Sequence, residues 1–444
     1  MTSVDGLSCE TAGRAPAQSV PGGRGLRRLA ALLSAIFLAA GCTSEEAEFR
    51  LNMMHLVENE IQHDNQQAIA DTLVALFGTP DDPRAPAGSG LDVKKLRLAA
   101  GPVWSDERGV KHGLYREHCA HCHGISGDGR GPTALFLNPY PRDYRLGLYK
   151  FKSTARAAKP TADDLRQILI EGIRGTAMPS FKLLPGDELD ALVEYVKYLS
   201  IRGELERELA NLINLDLPLD DQTEMPVMLD PADNPEHAAM VQERLAMVTE
   251  AWSTPQETIV RPDPEFIPQA DRSLAEISES IAKGRELFAG KADCLKCHGP
   301  TALGDGGQID WNDWNRPVKD FIARTQTLIA QANDLEASDS EEDRARADAL
   351  QSQIADRLAV QETLFPVRTI EPRNLRAGVY RGGRRPIDLF WRVHEGVNGT
   401  PMPGGSSSLT QEQIWQIVDY IRSLPYEPAS RAQHELAENA RERM

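Results

Sequence analysis

A chain of 444 residues, of which 41% are hydrophobic and 26% charged, has room for two or three domains. Its formal charge of −17 argues against a nucleic-acid or anionic-lipid surface and favours partners that present basic patches, met through salt-sensitive steering. No stretch shows the sustained alternation of apolar and polar residues that predicts strands, so the expected class is all-α.

At the N-terminus, Arg24, Arg27 and Arg28 precede an apolar run from Leu29 to Ala40. The run is too short to span a bilayer and suits the core of a signal peptide. It ends Leu38-Ala39-Ala40-Gly41-Cys42, which resembles a bacterial lipoprotein signal although the leucine sits one position further back than usual. The resemblance implies that residues 1–41 are removed and that Cys42 carries a lipid; an ordinary cleaved signal without lipid is the other reading. Loss of four arginines and two acids then moves the charge from −17 to −19. Residues 42–104 form an extension in which 45–77 has apolar residues at helical spacing, from Leu51 and Met54 through Ile69 to Phe77, and Pro80 to Pro86 end it. Met53, Met54, His55 and His63 on this helix read as packing residues rather than metal ligands.

Residues 105–205 contain Cys119-Ala-His-Cys122-His123 and, further on, Gly175-Thr176-Ala177-Met178-Pro179. Cys-x-x-Cys-His is a haem c attachment pattern: the thiols form thioethers to the macrocycle and the adjacent histidine ligates iron. A zinc half-site or redox dithiol would not need the trailing histidine. Helices are predicted over 161–172, with Thr161 as cap and Gly172 as stop, and over 187–199, with Leu189, Leu192, Val193, Val196 and Leu199 on one face. Residues 206–272, rich in proline and aspartate, read as an extended linker with one helix over 235–250.

Residues 273–428 repeat the first pattern, with Cys294-Leu-Lys-Cys297-His298, Gly399-Thr400-Pro401-Met402-Pro403 and a helix over 410–424. Cys119 and Met178 are 59 residues apart and Cys294 and Met402 108, so the second copy carries an insertion, at about 318–366. Residues 318–364 lack glycine and proline, and Ser338-Asp339-Ser340-Glu341 breaks two helical patterns. The expectation is an antiparallel helical hairpin, read as a solvated decoration ahead of a docking arm. A polar tail, 429–444, closes the chain. Of the six cysteines, Cys9 lies in the leader, Cys42 at the lipid position and four in the two motifs, which leaves none for a disulfide.

The ordered series Gly113-Leu114-Tyr115, Cys119 to His123, Gly127 to Pro132, Pro141-Arg142-Asp143, Tyr149-Lys150-Phe151, Gly175 to Pro179 and Leu192 to Val196 resembles the class I cytochrome c family. So does its second copy, from Gly284-Arg285-Glu286-Leu287-Phe288 through Gly304-Asp305-Gly306, Pro372-Arg373-Asn374-Leu375, Gly378-Val379-Tyr380 and Gly399 to Pro403 to Ile417-Val418-Asp419-Tyr420-Ile421. The resemblance implies two tandem helical domains, each with a haem c bound through Cys119 and Cys122 or Cys294 and Cys297. The iron ligands it implies are His123 with Met178 and His298 with Met402. In such domains an N-terminal helix crosses a C-terminal one. Lys111 stands where many members have a glycine at that crossing, and Pro132 falls where a loop carbonyl accepts from the ligand histidine. Arg142, Tyr144, Arg373 and Tyr380 are candidates to bind haem carboxylates, and His394 is an alternative ligand to Met402, weaker than a surface role.

A six-coordinate iron with methionine opposite histidine suits electron transfer better than peroxide chemistry. The leading expectation is therefore a di-haem electron carrier without a catalytic centre of its own. It would be held by lipid on the periplasmic side of a bacterial membrane and serve a respiratory complex or terminal oxidase. A di-haem peroxidase-like enzyme and a haem-based sensor are the alternatives.

Overall fold

The computed structural model describes residues 46–430 apart from 223–224, 308–309 and 339. Cys9, the leader, Cys42 and most of the polar tail lie outside the described residues. Among those described, the chain is all-α apart from one two-residue ladder, Trp104–Ser105 (β1) against Lys111–His112 (β2), with Trp104 opposite His112. No described helix is long and apolar enough to cross a membrane.

The extension forms two helices where one was expected: α1 (Met53–Glu58) and α2 (His63–Phe77). The break follows from Asn59, whose side chain donates to the His55 carbonyl at 2.7 Å, and from Glu60, which takes a left-handed φ of 55°. A third helix, α3 (Val93–Ala99), is capped by Asp92 and packs on the long helix Gly186–Leu215.

The first Cys-x-x-Cys-His sits on two short turns, α4 (Leu114–His118) and α5 (Ala120–His123). Lys111 is therefore in a strand and not on a helix, and α3 makes the crossing that was expected there. Helix α6 (Ala162–Glu171) begins with a capping box between Thr161 and Asp164 and stops at Gly172, as its sequence predicts. Helix α7 (Gly186–Leu215) runs well past the predicted 199, because Leu205, Leu209, Leu212 and Ile213 continue its buried face. Residues 206–272 are correspondingly less extended than expected. Helix α8 (Pro235–Ser253) packs on α7 and buries Val241, Leu245, Val248 and Trp252 in the first core.

The second copy has its own core, around Phe288, Phe390, Trp415 and Tyr420. Helix α9 (Leu274–Ala289), with a Ser273–Glu276 capping box, crosses α14 (Gln411–Ser423). At the crossing, a Cβ on Gly284 would collide with the Gln416 carbonyl. The motif turn is α10 (Leu295–His298), and α13 (Pro386–Glu395) precedes the Met402 loop.

The insertion is the predicted hairpin, α11 (Asn315–Glu336) and α12 (Glu341–Glu362), but it is not a solvated decoration. It docks on α1 of the extension through Phe321 and Val360 against Val57, with Met54 and Leu364 around them. Arg357, 3% exposed at its side chain, pairs with Glu58 at 2.7 Å and donates to Thr325 Oγ1 at 3.0 Å. Apolar burial drives the docking, and the paired charge fixes its register.

Candidate functional site

Each motif turn is closed by the same bonds. His123 N–H donates to Cys119 O and His298 N–H to Cys294 O, both at 2.9 Å. Gly124 (φ 73°) and Gly299 (φ 76°) then turn the chain away in the left-handed region, where glycine is the least strained residue. The loops fold back through Gly129 N–H to His123 O and Gly304 N–H to His298 O, again both at 2.9 Å.

The two histidines are held alike. His123 Nδ1 lies 3.0 Å from Arg142 O, and His298 Nδ1 lies 3.1 Å from Arg373 O. An Nδ1–H bonded to a carbonyl leaves Nε2 as the free lone pair, the tautomer an iron ligand needs. This corrects the expectation for Pro132: the acceptors are Arg142 and Arg373, which occupy equivalent places, so no proline distinguishes the two sites. Burial holds His123 down to about 4 and lowers His298, which keeps both imidazoles neutral as ligation requires. Burial also pushes the thiols of Cys119 and Cys294 up, to about 12 and about 11.

The methionine loops match bond for bond. Ile173 N–H donates to Met178 O at 3.1 Å and Val397 N–H to Met402 O at 3.2 Å. The hydroxyls of Thr176 and Thr400 donate to Ile173 O and Val397 O, both at 2.7 Å, and accept from Met178 N–H and Met402 N–H.

In the first copy the motif and its loop face one cavity, lined by Cys119, Cys122, His123 and Met178 with apolar Leu165, Leu169, Phe181, Val193 and Val196. Tyr144 stacks on His123 at 4.6 Å between ring centres. A largely apolar slot with two thiols on one wall, and with a neutral imidazole and a thioether among its lining groups, fits a covalently bound haem.

The polar side of that cavity comes partly from the second copy. Asn312, Asp313, Trp314, Asn315 and Arg381 line it, and Asp313 pairs with Arg142. Lys150 stands 3.9 Å from Asp313, and burial, with help from Arg142, pushes its ammonium down to about 8. Burial and neighbouring Arg373 push Arg381 down to about 10, and the Nε atoms of Arg373 and Arg381 are buried without a hydrogen-bond partner. Such unmatched donors suit the carboxylates of a haem.

Of the proposed carboxylate binders, Arg142 and Tyr144 line the cavity. Tyr380 does not serve that role, because its buried hydroxyl donates to Ile421 O at 2.8 Å. His394 is tied to Glu395 Oε1 at 2.7 Å and stacks on Phe390. In the extension, Met54 packs in the hairpin interface, His55 contacts Asn59 and His63 lies 3.7 Å from Asp356.

The two ligand frames touch. Gly175, in the Met178 loop, lies against the Arg373 guanidinium. Asp313 N–H donates to Gly399 O in the Met402 loop at 3.0 Å, while the Asp313 carboxylate holds Arg142. Each methionine loop thus rests on the arginine that anchors the other copy's histidine, directly in one direction and through Asp313 in the other. Sequence reading missed Asp313 and Arg381, which carry no motif of their own.

The family model for cytochrome c oxidase, cbb3-type, subunit III matches residues 111–196, which include Cys119, Cys122, His123 and Met178. Residues 111–196 are a cytochrome c domain. Such a domain implies a covalently bound haem c and an electron-transfer role for residues 111–196. A chain of the Kuenenia stuttgartiensis reducing HAO-like protein complex is similar at 20% identity over 72% of this chain and 97% of that one. Its TM-score of 0.40 is too low to bear on fold or function. No curated protein matches the chain.

Proposed function

We propose that the protein is a di-haem cytochrome c that passes electrons between two sites in contact. The observation that carries this reading is the bond-for-bond repetition of the ligand frame in residues 273–428. Cys119 and Cys122, and Cys294 and Cys297, hold the haems; His123 with Met178 and His298 with Met402 ligate the irons. A haem c so ligated supplies reversible one-electron chemistry at a closed iron. The residues fix each imidazole through Nδ1, keep it neutral, seat the methionine loops and exclude water with Leu165, Leu169, Phe181 and Val193.

Contact between the frames gives a short route between the sites, as a carrier needs. A peroxidase-type reading requires a methionine loop free to leave its iron, and both loops are bonded at each end. From the leader, we propose export to the periplasmic side of a bacterial membrane and a lipid on Cys42. From the acidic charge, we propose docking to a basic redox partner in a respiratory complex.

The test is haem content by pyridine haemochrome and the methionine-to-iron charge-transfer band in the exported protein. Two haems per chain are expected, with part of the band lost in Met178→Ala and the remainder in Met402→Ala. One haem per chain, or a high-spin second haem, would remove the di-haem carrier reading.

A further inference from the structure

We infer that Arg156, a residue of the first copy, positions the loop that carries Met402 in the second. The inference rests on the proposed ligand role of Met402. Arg156 donates its backbone N–H to the Glu395 carboxylate at 2.7 Å. Its guanidinium donates to three carbonyls in succession: Glu395 O at 3.2 Å, Met402 O at 2.9 Å and Thr400 O at 3.2 Å. It also fills the space over Gly396, where φ is 74° and a Cβ would strike the guanidinium. A planar fork with several fixed donors is the side chain best suited to bridge carbonyls that point the same way.

Arg156 is itself held from two sides. Ala155 N–H donates to Thr258 O at 2.8 Å and Val260 N–H to Ser153 O at 2.9 Å, so the linker pairs with the segment around Arg156. Trp391 of α13 donates to Val260 O at 2.8 Å, which ties the same linker strand to the helix before the Met402 loop. The guanidinium therefore reaches the loop from a joint of first copy, linker and second copy.

Among the described residues the first copy has no equivalent clamp. Among the described residues its Met178 loop accepts one long hydrogen bond from across the interface, Arg381 to Gly175 O at 3.4 Å, beside the packing of the Arg373 guanidinium on Gly175. The methionine loop of the second copy is thus stabilised by the docking of the two copies, and that of the first chiefly by its own backbone.

The test uses full-length holoprotein carrying Arg156→Gln or Arg156→Lys, each made in a Met178→Ala background, where the remaining charge-transfer band reports Met402. Imidazole is titrated as the competing ligand. Loss of the bonds to Thr400 O and Met402 O in the loop, and to Glu395 O at its start, is expected to raise imidazole affinity at the second haem on the order of tenfold in Arg156→Gln. Arg156→Lys, which keeps the charge and one direction of donation, is expected to recover part of that change. The first haem, read in a Met402→Ala background, is expected to bind imidazole as before. Unchanged affinity at the second haem in both variants, or an equal change at both haems, overturns the assignment. If Met402→Ala leaves the band intact in the parent protein, the ligand reading beneath it fails instead, whatever Arg156 does.

Discussion

In the first copy the helix crossing is made by α3 on α7 and enclosed by α2 and α8, whereas in the second α9 crosses α14 with α13 beside it, over a smaller core. The first crossing draws on a core that runs from Leu56 to Trp252; the second depends on close approach at Gly284, where there is no room for a Cβ. The same ligand frame is therefore supported by wrapping in one case and by tight contact in the other. A defect at the second crossing has fewer neighbours to absorb it.

Gly284→Ala tests that difference most severely. Its new methyl group would meet Gln416 O and Tyr420 Cβ, so overpacking is expected to cost about 3 kcal/mol and to lower haem content in the second copy first. Lys111→Ala, at the nominally corresponding place in the first copy, is expected to change stability by less than about 0.5 kcal/mol, because that side chain is on an exposed strand. Thermal unfolding with haem counting reads both, and equal effects would end the contrast.

The hairpin extends the comparison, since it belongs to the second copy and braces the extension of the first. Arg357→Ala would leave Glu58 with its exposed partner Arg324 and open the contact with Phe321, where the guanidinium lies 4.2 Å from the ring centre. A loss of about 3 kcal/mol is expected in urea unfolding. Glu58→Gln should cost less, because Arg357 keeps Thr325 Oγ1 and Phe321 O. A loss under 0.5 kcal/mol for Arg357→Ala would return the hairpin to the role of a decoration.

What could be read from sequence was local. Cys119 to His123 and the Gly-Thr-x-Met-Pro loops stand out as patterns, and Thr161 and the stripe on α7 each declare themselves within a few residues, because capping and helical periodicity are short-range constraints. The hairpin was legible as two helices but not as a brace, since its partner Val57 is 264 residues before Phe321 and nothing in either segment names the other. Arg156 and Asp313 were illegible for the same reason. The Nδ1 acceptor was misplaced because any residue supplies a carbonyl, and only the fold shows that Arg142 and Arg373 bring theirs to the ring.

The wrapping of the first copy also carries a pH dependence. His55 is largely buried and is pushed down to about 4, by burial first and then by Arg207, against an ordinary value of 6.5. The unfolded chain therefore binds a proton between pH 6.5 and 4 that the folded chain refuses, so stability is complete above 6.5 and falls as acid is added through that window. A loss of about 1 to 2 kcal/mol is expected between pH 7 and 5, and His55→Gln should flatten it. An unchanged slope in His55→Gln would assign the dependence to other groups.

The smallest expected effect is the most informative about how the copies communicate. Asp313 stands on the second copy, lines the first cavity, pairs with Arg142 and donates its N–H to the Met402 loop. Asp313→Asn keeps the backbone bond and removes one negative charge. Oxidised iron carries one positive charge more than reduced iron, so loss of the carboxylate disfavours the oxidised state and raises the potential of the first haem, by about 1 kcal/mol. The proposed haem on Cys294 and Cys297 would feel the same charge from outside its own site and should shift less. Spectroelectrochemical titration of both haems separates the two cases. A larger shift at the second haem would mean that Asp313 acts chiefly through the Gly399 loop, and no shift at either would mean that Arg142 and Lys150 already screen it from both.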